Sequence, residues 1–124
     1  MLDVYTLLNN IIEPICPCFT GHYPTTETKV YPFVEVKFPN ITPGNSYSDI
    51  NLLQVDIWDN KDTNIIEIET KTDLIHKALN KLRYNDSKMQ LTINRDFPYR
   101  LELLDPEINI QRRQLRYTVK IYYK

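Results

Sequence analysis

The sequence predicts an α+β domain: a mostly antiparallel five-stranded sheet with two helices packed on one face, in the order α-β-β-α-β-β-β. Three observations carry that prediction. Residues 64–84 read NIIEIETKTDLIHKALNKLRY, in which Ile65, Ile68, Thr72, Ile75, Leu79 and Leu82 recur at three- and four-residue steps, the spacing of an amphipathic helix. Other stretches alternate apolar and polar residues with a period of two, as half-buried strands do. Turn residues and short loops separate those strands, which favours antiparallel pairing. The helix cannot bury its stripe alone, and the strands supply the missing surface.

With 124 residues, 42% hydrophobic and 25% charged, the chain suits one domain, residues 1–124, built on one core. Leu2 to Ile12 places Val4, Leu7, Leu8, Ile11 and Ile12 at helical spacing, with Asp3 at the start and Pro14 beyond the end. A helix this short is held by packing. Residues 15–29 carry Pro17, Gly21, Pro24 and several threonines, and read as a long irregular loop. Val30 to Phe38 is the first strand. Val30, Val34, Val36 and Phe38 share one face, and Pro32 places that end at an edge or outside the pairing. Residues 40–48 form a polar connection around Pro43, Gly44 and Asn45. Ile50 to Trp58 is the second strand, with Leu53, Val55 and Ile57 on one face and Leu52, Gln54, Asp56 and Trp58 on the other.

The long helix follows, with Asp62, Thr63 and Asn64 as competent caps and Ile66, Leu74 and Ala78 widening its stripe. Met89, Leu91 and Ile93 mark a third strand, and Asp96-Phe97-Pro98 a turn. Tyr99 to Leu104 is a fourth strand, with Leu101 and Leu103 inward. Arg113 to Tyr123 is the fifth. It directs Leu115, Tyr117, Val119, Ile121 and Tyr123 inward, and a one-residue slip would bury Arg116 and Lys120.

Composition excludes several classes. No apolar run has membrane length, so no membrane partner is expected. Residues 1–15 carry Asp3 and Glu13 and no basic n-region, so they do not read as a secretion signal, and synthesis in the cytoplasm is expected. Cys16 and Cys18 flank Pro17, too close for an ordinary disulfide, and read as reduced thiols in a loop. His22 and His76 have no ligand neighbours at metal spacing, and two glycines make no phosphate-cradling loop. Asp56, Asp59 and Asp62 have the opening spacing of a calcium loop but lack its glycine and closing glutamate, so they read as an acidic strand end. No serine lies in a nucleophile elbow. The residues therefore predict no catalytic group, no cofactor, no metal and no enzyme activity. Tyrosine occurs nine times. Tyr31, Phe33, Tyr117, Tyr122 and Tyr123 fall on strands, where nucleobase stacking competes with ordinary packing as the explanation.

The net charge is −1 but unevenly spread. Residues 1–70 carry three Lys/Arg against ten Asp/Glu, a net of −7; residues 71–124 carry twelve against six, a net of +6. Either a basic strand lies beside an acidic one within the fold, or the subunit has unlike flanks that favour head-to-tail association.

In order and spacing, nearly the whole chain resembles the tail-terminator (tail-completion, or head-tail joining) proteins of long-tailed bacteriophages. The resemblance is carried by the short first helix and irregular loop, then YPFVEV at Tyr31 to Val36. It continues with LQVDIWDN at Leu53 to Asn60, the amphipathic helix, and RQLRYTVKIYY at Arg113 to Tyr123. Lys37 and Phe38 stand where that family often has glycine. The resemblance implies a non-enzymatic virion protein, made in the host bacterial cytoplasm, that sits at the head-proximal end of the tail. There it forms a ring, a hexamer in the family, that stops tube growth and docks the head connector or head-closure protein. The partners implied are further copies of itself, the tail tube protein and the connector, with DNA only passing through the ring. Some relatives are monomers in solution and assemble only on the tube.

On this reading Glu35, Asp56, Asp59 and Asp62 form one side of a subunit interface and Arg112, Arg113, Arg116 and Lys120 the other. The loop holding Asn40, Ile41, Asn45 and Tyr47 is the candidate contact with tube or connector. Alternatives are another neck, head-closure or minor tail protein, or a small module binding nucleic acid or a peptide strand.

Overall fold

The structure is a computed structural model. It describes residues 2–24, 26, 28–39, 41–45, 48–61, 64–105 and 110–124, with backbone alone for 41–45, 48, 104 and 105. Among the described residues nine elements follow in order: α1 (Leu2–Ile12), β1 (Cys18–Thr20), β2 (Phe33–Lys37), β3 (Ile41–Asn45), β4 (Ser48–Asp59), α2 (Ile66–Leu79), β5 (Arg83–Asn85), β6 (Met89–Asp105) and β7 (Ile110–Tyr123). The class is α+β, as expected, but the sheet has seven strands rather than five. Six run in the order β1-β2-β4-β7-β6-β5, and β3 pairs with β4 beyond the end of β2. Five pairings are antiparallel; β1 lies parallel to β2, which makes the sheet mixed.

The helices cover one face. Val4, Leu8 and Ile12 of α1 and Ile68, Ile75 and Leu79 of α2 meet Val34, Val36, Leu53, Val55, Ile57, Leu91, Ile93, Leu115, Tyr117, Val119 and Ile121 of the sheet. The α2 stripe is narrower than the sequence suggests. Ile68, Thr72, Ile75 and Leu79 are buried, whereas Ile65, Ile66 and Leu74 are exposed. The helix also stops earlier. Asn80 takes an extended conformation, Lys81 adopts φ 63°, and the chain turns at once into β5. At the start, the Asn64 side chain accepts a hydrogen bond from Ile66 N–H (3.1 Å). Asp62 and Thr63 lie outside the described residues.

Three further differences have local causes. The loop at 15–29 contains β1, a three-residue strand too short to show periodicity and defined by its pairing with Val34, Glu35 and Val36. The connection around Pro43 is largely strand: β3 and the start of β4 form a hairpin, with Ile41 opposite Asn51 and Asn45 opposite Ser48. The third and fourth expected strands are one strand, β6. Between Arg95 and Arg100 it advances five residues while β7 advances two, from Tyr117 to Leu115. That odd surplus reverses which residues face the helices. Leu101 and Leu103 therefore lie on the helix-free face, half-buried and exposed respectively, while Arg100 and Glu102 turn toward α2.

Val30 is exposed, and Pro32 lies before β2 begins. On β7 the inward series is buried from Leu115 to Ile121, but Tyr123 is exposed. No helix among the described residues is long and apolar enough to cross a membrane.

Candidate interaction surface

The face of the sheet without helices carries a cross-strand network set by register. Phe33, Trp58 and Arg112 stand in one row; Glu35, Asp56 and Gln114 in the next; Lys37, Gln54 and Arg116 in a third. Asp56 is fully buried there. It accepts hydrogen bonds from the side chains of Gln54 (2.9 Å) and Gln114 (3.0 Å), and Lys37 Nζ and Arg112 Nε approach within 3.6 and 3.5 Å. Such a carboxylate stays inside the protein because each oxygen accepts a hydrogen bond and two cations stand near it.

Glu35 is buried for a different reason. The chain after β1 turns at Gly21, whose φ of +80° suits glycine, and folds back over β2. Glu35 then accepts from Tyr23 N–H (2.7 Å) and from the Trp58 indole (3.1 Å). Phe33 packs with Trp58, Tyr23, Tyr31 and Phe19, and the Arg112 guanidinium lies 5.0 Å from the Trp58 ring centroid. Arg116 donates to Gln114 Oε1 (2.9 Å), and Lys120 lies over the Tyr122 ring.

The residues expected at an interface are thus divided. Glu35, Asp56, Arg112, Arg116 and Lys120 share the helix-free face, with both carboxylates sealed beneath it. Asp59 lies on the helix side and is buried, bonded to Asn60 N–H (2.8 Å) with Lys61 at 3.8 Å. Arg113 also points to the helix side, buried between Glu69 (2.7 Å) and Glu102 (3.7 Å). Glu35, Asp56 and Arg113 thus have partners within the subunit, and Asp59 is buried with its second carboxylate oxygen unpartnered, so none of these four presents its charge on an outer flank. Their pairing also accounts for much of the charge asymmetry, because acidic β4 lies beside basic β7. Asp62, Asn40 and Tyr47 lie outside the described residues, and Ile41 and Asn45 are known as backbone positions of β3.

Burial pushes the Cys16 thiol up to about 11 and Cys18 to about 12, so both are protonated and unreactive near neutrality. His76 Nδ1 lies 2.7 Å from the Tyr117 hydroxyl. Burial raises that hydroxyl well above the ordinary tyrosine value. Burial, then Arg95 and Arg100, lower His76 below the ordinary histidine value. Asp56 and Asp59 project from opposite faces of β4 and cannot share a cation. No group of three metal-ligating side chains occurs among the described residues. Tyr117 is in the core and Phe33 inside the aromatic cluster, so the strand aromatics make no common stacking platform.

The reading of the sequence missed Trp58, Gln114 and Lys37 as members of the network. The alternation that placed Trp58 and Asp56 on one face was the available signal, but the register bringing Lys37 and Gln114 to them was not readable locally.

The sequence matches no protein-family model and no curated protein. The fold does have a likeness among solved structures. A chain of the structure titled "Virion of native gene transfer agent (GTA) particle" matches with a TM-score of 0.68 at 7% identity, over 94% of this chain and 84% of that one. At that identity the likeness establishes a shared fold.

Proposed function

We propose that this chain is a structural virion protein that caps the head-proximal end of a phage tail tube, stops tube polymerisation and presents the surface on which the head docks. Its role is non-enzymatic. Its partners are further copies of itself in a ring, a hexamer by the family resemblance, together with the tail tube protein and the head connector, with DNA passing through the opening. The observation that carries this reading is the fold shared over 94% of the chain with a component of a gene transfer agent virion. The order of strand and helix motifs supports the tail-terminator assignment within that class. The helix-free face supports a docking role: it carries the cations Arg112, Arg116 and Lys120, while its carboxylates Glu35 and Asp56 are buried.

Loss of the chain tests this reading directly. Particles made without it are expected to show overlong tails, or tails of normal length that fail to join heads, in negatively stained micrographs. Antibody label on complete particles is expected at the head-tail junction. Normal, head-joined tails in its absence overturn the reading, and label on the neck or elsewhere on the tail assigns it to another virion part.

A further inference from the structure

We propose that the helix-free face binds an acidic surface of a different protein, with Arg83, Arg116 and Lys120 as the charges that recognise it. This rests on the virion role proposed above and names the chemistry of the partner that docks there.

Register brings Arg83 onto this face. Arg83 lies opposite Thr92, Thr92 opposite Lys120, and Lys120 opposite Ile50, so all four project to the side that no helix covers. Arg83 is exposed and has no ion pair among the described residues. Arg116 donates to Gln114, and Lys120 lies over the Tyr122 ring; neither meets a carboxylate among the described residues. The described carboxylates of the face are turned to other groups. Glu35 and Asp56 are buried in their network, and Asp96 accepts a hydrogen bond from Thr118. Three cations thus stand at this surface without a counter-charge.

Their spacing and surroundings select the partner. Arg83 and Lys120 stand two strand spacings apart, roughly 10 Å, and Lys120 and Arg116 four residues apart, roughly 13 Å. One small anion cannot reach all three, so the ligand is a surface with several negative charges. Apolar side chains are interleaved with the cations. Ile50, beside Lys120, is 39% exposed; Leu103, beside Arg112, is 38% exposed; and Trp58 carries the stacked Arg112. Arginine, tryptophan and aliphatic side chains together suit a protein surface, whereas a phosphate backbone leaves Ile50 and Leu103 without partners. A net charge of −1 gives the chain no long-range attraction for nucleic acid. A second copy does not supply the acids either. On its helix layer Glu67 pairs with Lys61, Glu69 with Arg100 and Arg113, and Asp73 with Arg100, while Glu13 accepts from Cys18 N–H. The occupant is therefore a different component of the particle.

Binding to particles made without the chain tests this contact. Purified protein is added to them, and the bound fraction is read by sedimentation from about 50 to about 500 mM NaCl. Wild type is expected to bind and to lose affinity at least tenfold over that range. Arg83→Glu and Lys120→Glu, which break no ion pair among the described residues, are expected to bind at least tenfold more weakly at low salt, with thermal unfolding unchanged. Lys77→Glu, on the exposed side of α2, is expected to bind as wild type does. A water-soluble carbodiimide, which joins a lysine amine to a carboxylate touching it, is expected to link Lys120 to an aspartate or glutamate of another virion protein, identified by mass spectrometry. Variants that join particles as wild type does, or binding insensitive to salt, overturn this contact and leave the virion role standing. A link from Lys120 to a second copy also overturns it, as does a DNA duplex of about 30 base pairs that wild type binds and Lys120→Glu releases. A wild-type chain that never joins particles overturns the virion role, and this contact with it.

Discussion

Asp56 has no solvent exposure, yet it lies on the face of the sheet that no helix covers. Its cover is made by its neighbours: two glutamine amides, a lysine and an arginine whose own guanidinium is stacked on Trp58. Removing either glutamine leaves an Asp56 oxygen without its hydrogen bond, and removing either cation leaves the buried charge less compensated, so the members are coupled. His76 is the contrasting case on the helix side. It stacks on Tyr99 and Tyr117 and meets the Tyr117 hydroxyl through Nδ1. Burial and the facing Arg95 and Arg100 favour its neutral form, with Asp73 opposing more weakly. A histidine whose folded pKa is lowered contributes fully above its unfolded value, about 6.5, and the contribution is lost as pH falls below that. The urea midpoint should therefore drop between pH 7.5 and 5.5, and His76→Gln should flatten the part of that drop due to this residue. An unchanged slope in the variant would show that His76 titrates alike in the folded and unfolded chains.

At the scale of elements, the end of α2 shows what alternation and periodicity leave unread. The apolar spacing continues to Leu82, and Leu82 does pack against the core, but it does so from beyond the helix. Lys81 at φ 63° makes the turn that carries it there. A side chain costs about 1 kcal/mol or more in that left-handed conformation. Lys81→Gly should raise stability by about 0.5–1 kcal/mol, and Lys81→Val should lower it, both measured by thermal unfolding. The core faces of β4 and β7 were legible because each alternates without interruption over many residues. The split of β6 was not. Asp96-Phe97-Pro98 has the chemistry of a turn, and only the pairing with β7 shows that the chain bulges and continues. The reversal of faces that follows carries Arg100 to Glu69 and Asp73. β1 was illegible for a simpler reason: three residues hold no period, and each pairs with a residue sixteen positions further along the chain.

At the scale of the whole molecule, opposite charge in the two halves of the sequence had two explanations, and pairing decides how each residue is used. Arg113 and Arg116 are three apart on one strand, so they project to opposite faces. Arg113 is 4% exposed and held between Glu69 and Glu102, which ties β7 to α2 and β6. Reversing it to glutamate places three carboxylates together, with Arg100, already shared by Glu69 and Asp73, as the cation beside them. Breaking a buried pair by removing one partner costs about 3–5 kcal/mol, and like charge adds to that cost. Arg116 is half-buried at the surface of the helix-free face, bonded to Gln114 and to no carboxylate among the described residues. Arg113→Glu should accordingly lower the unfolding temperature by many degrees or prevent folding. Arg116→Glu should unfold within a few degrees of wild type and, on the proposed function, show its effect in assembly on tail tubes. The contrast matters because an assembly defect from Arg113→Glu would report a damaged subunit. A folded Arg116→Glu chain that assembles as wild type does would remove the helix-free face from the contacts of the proposed ring, leaving its two sheet edges to make them.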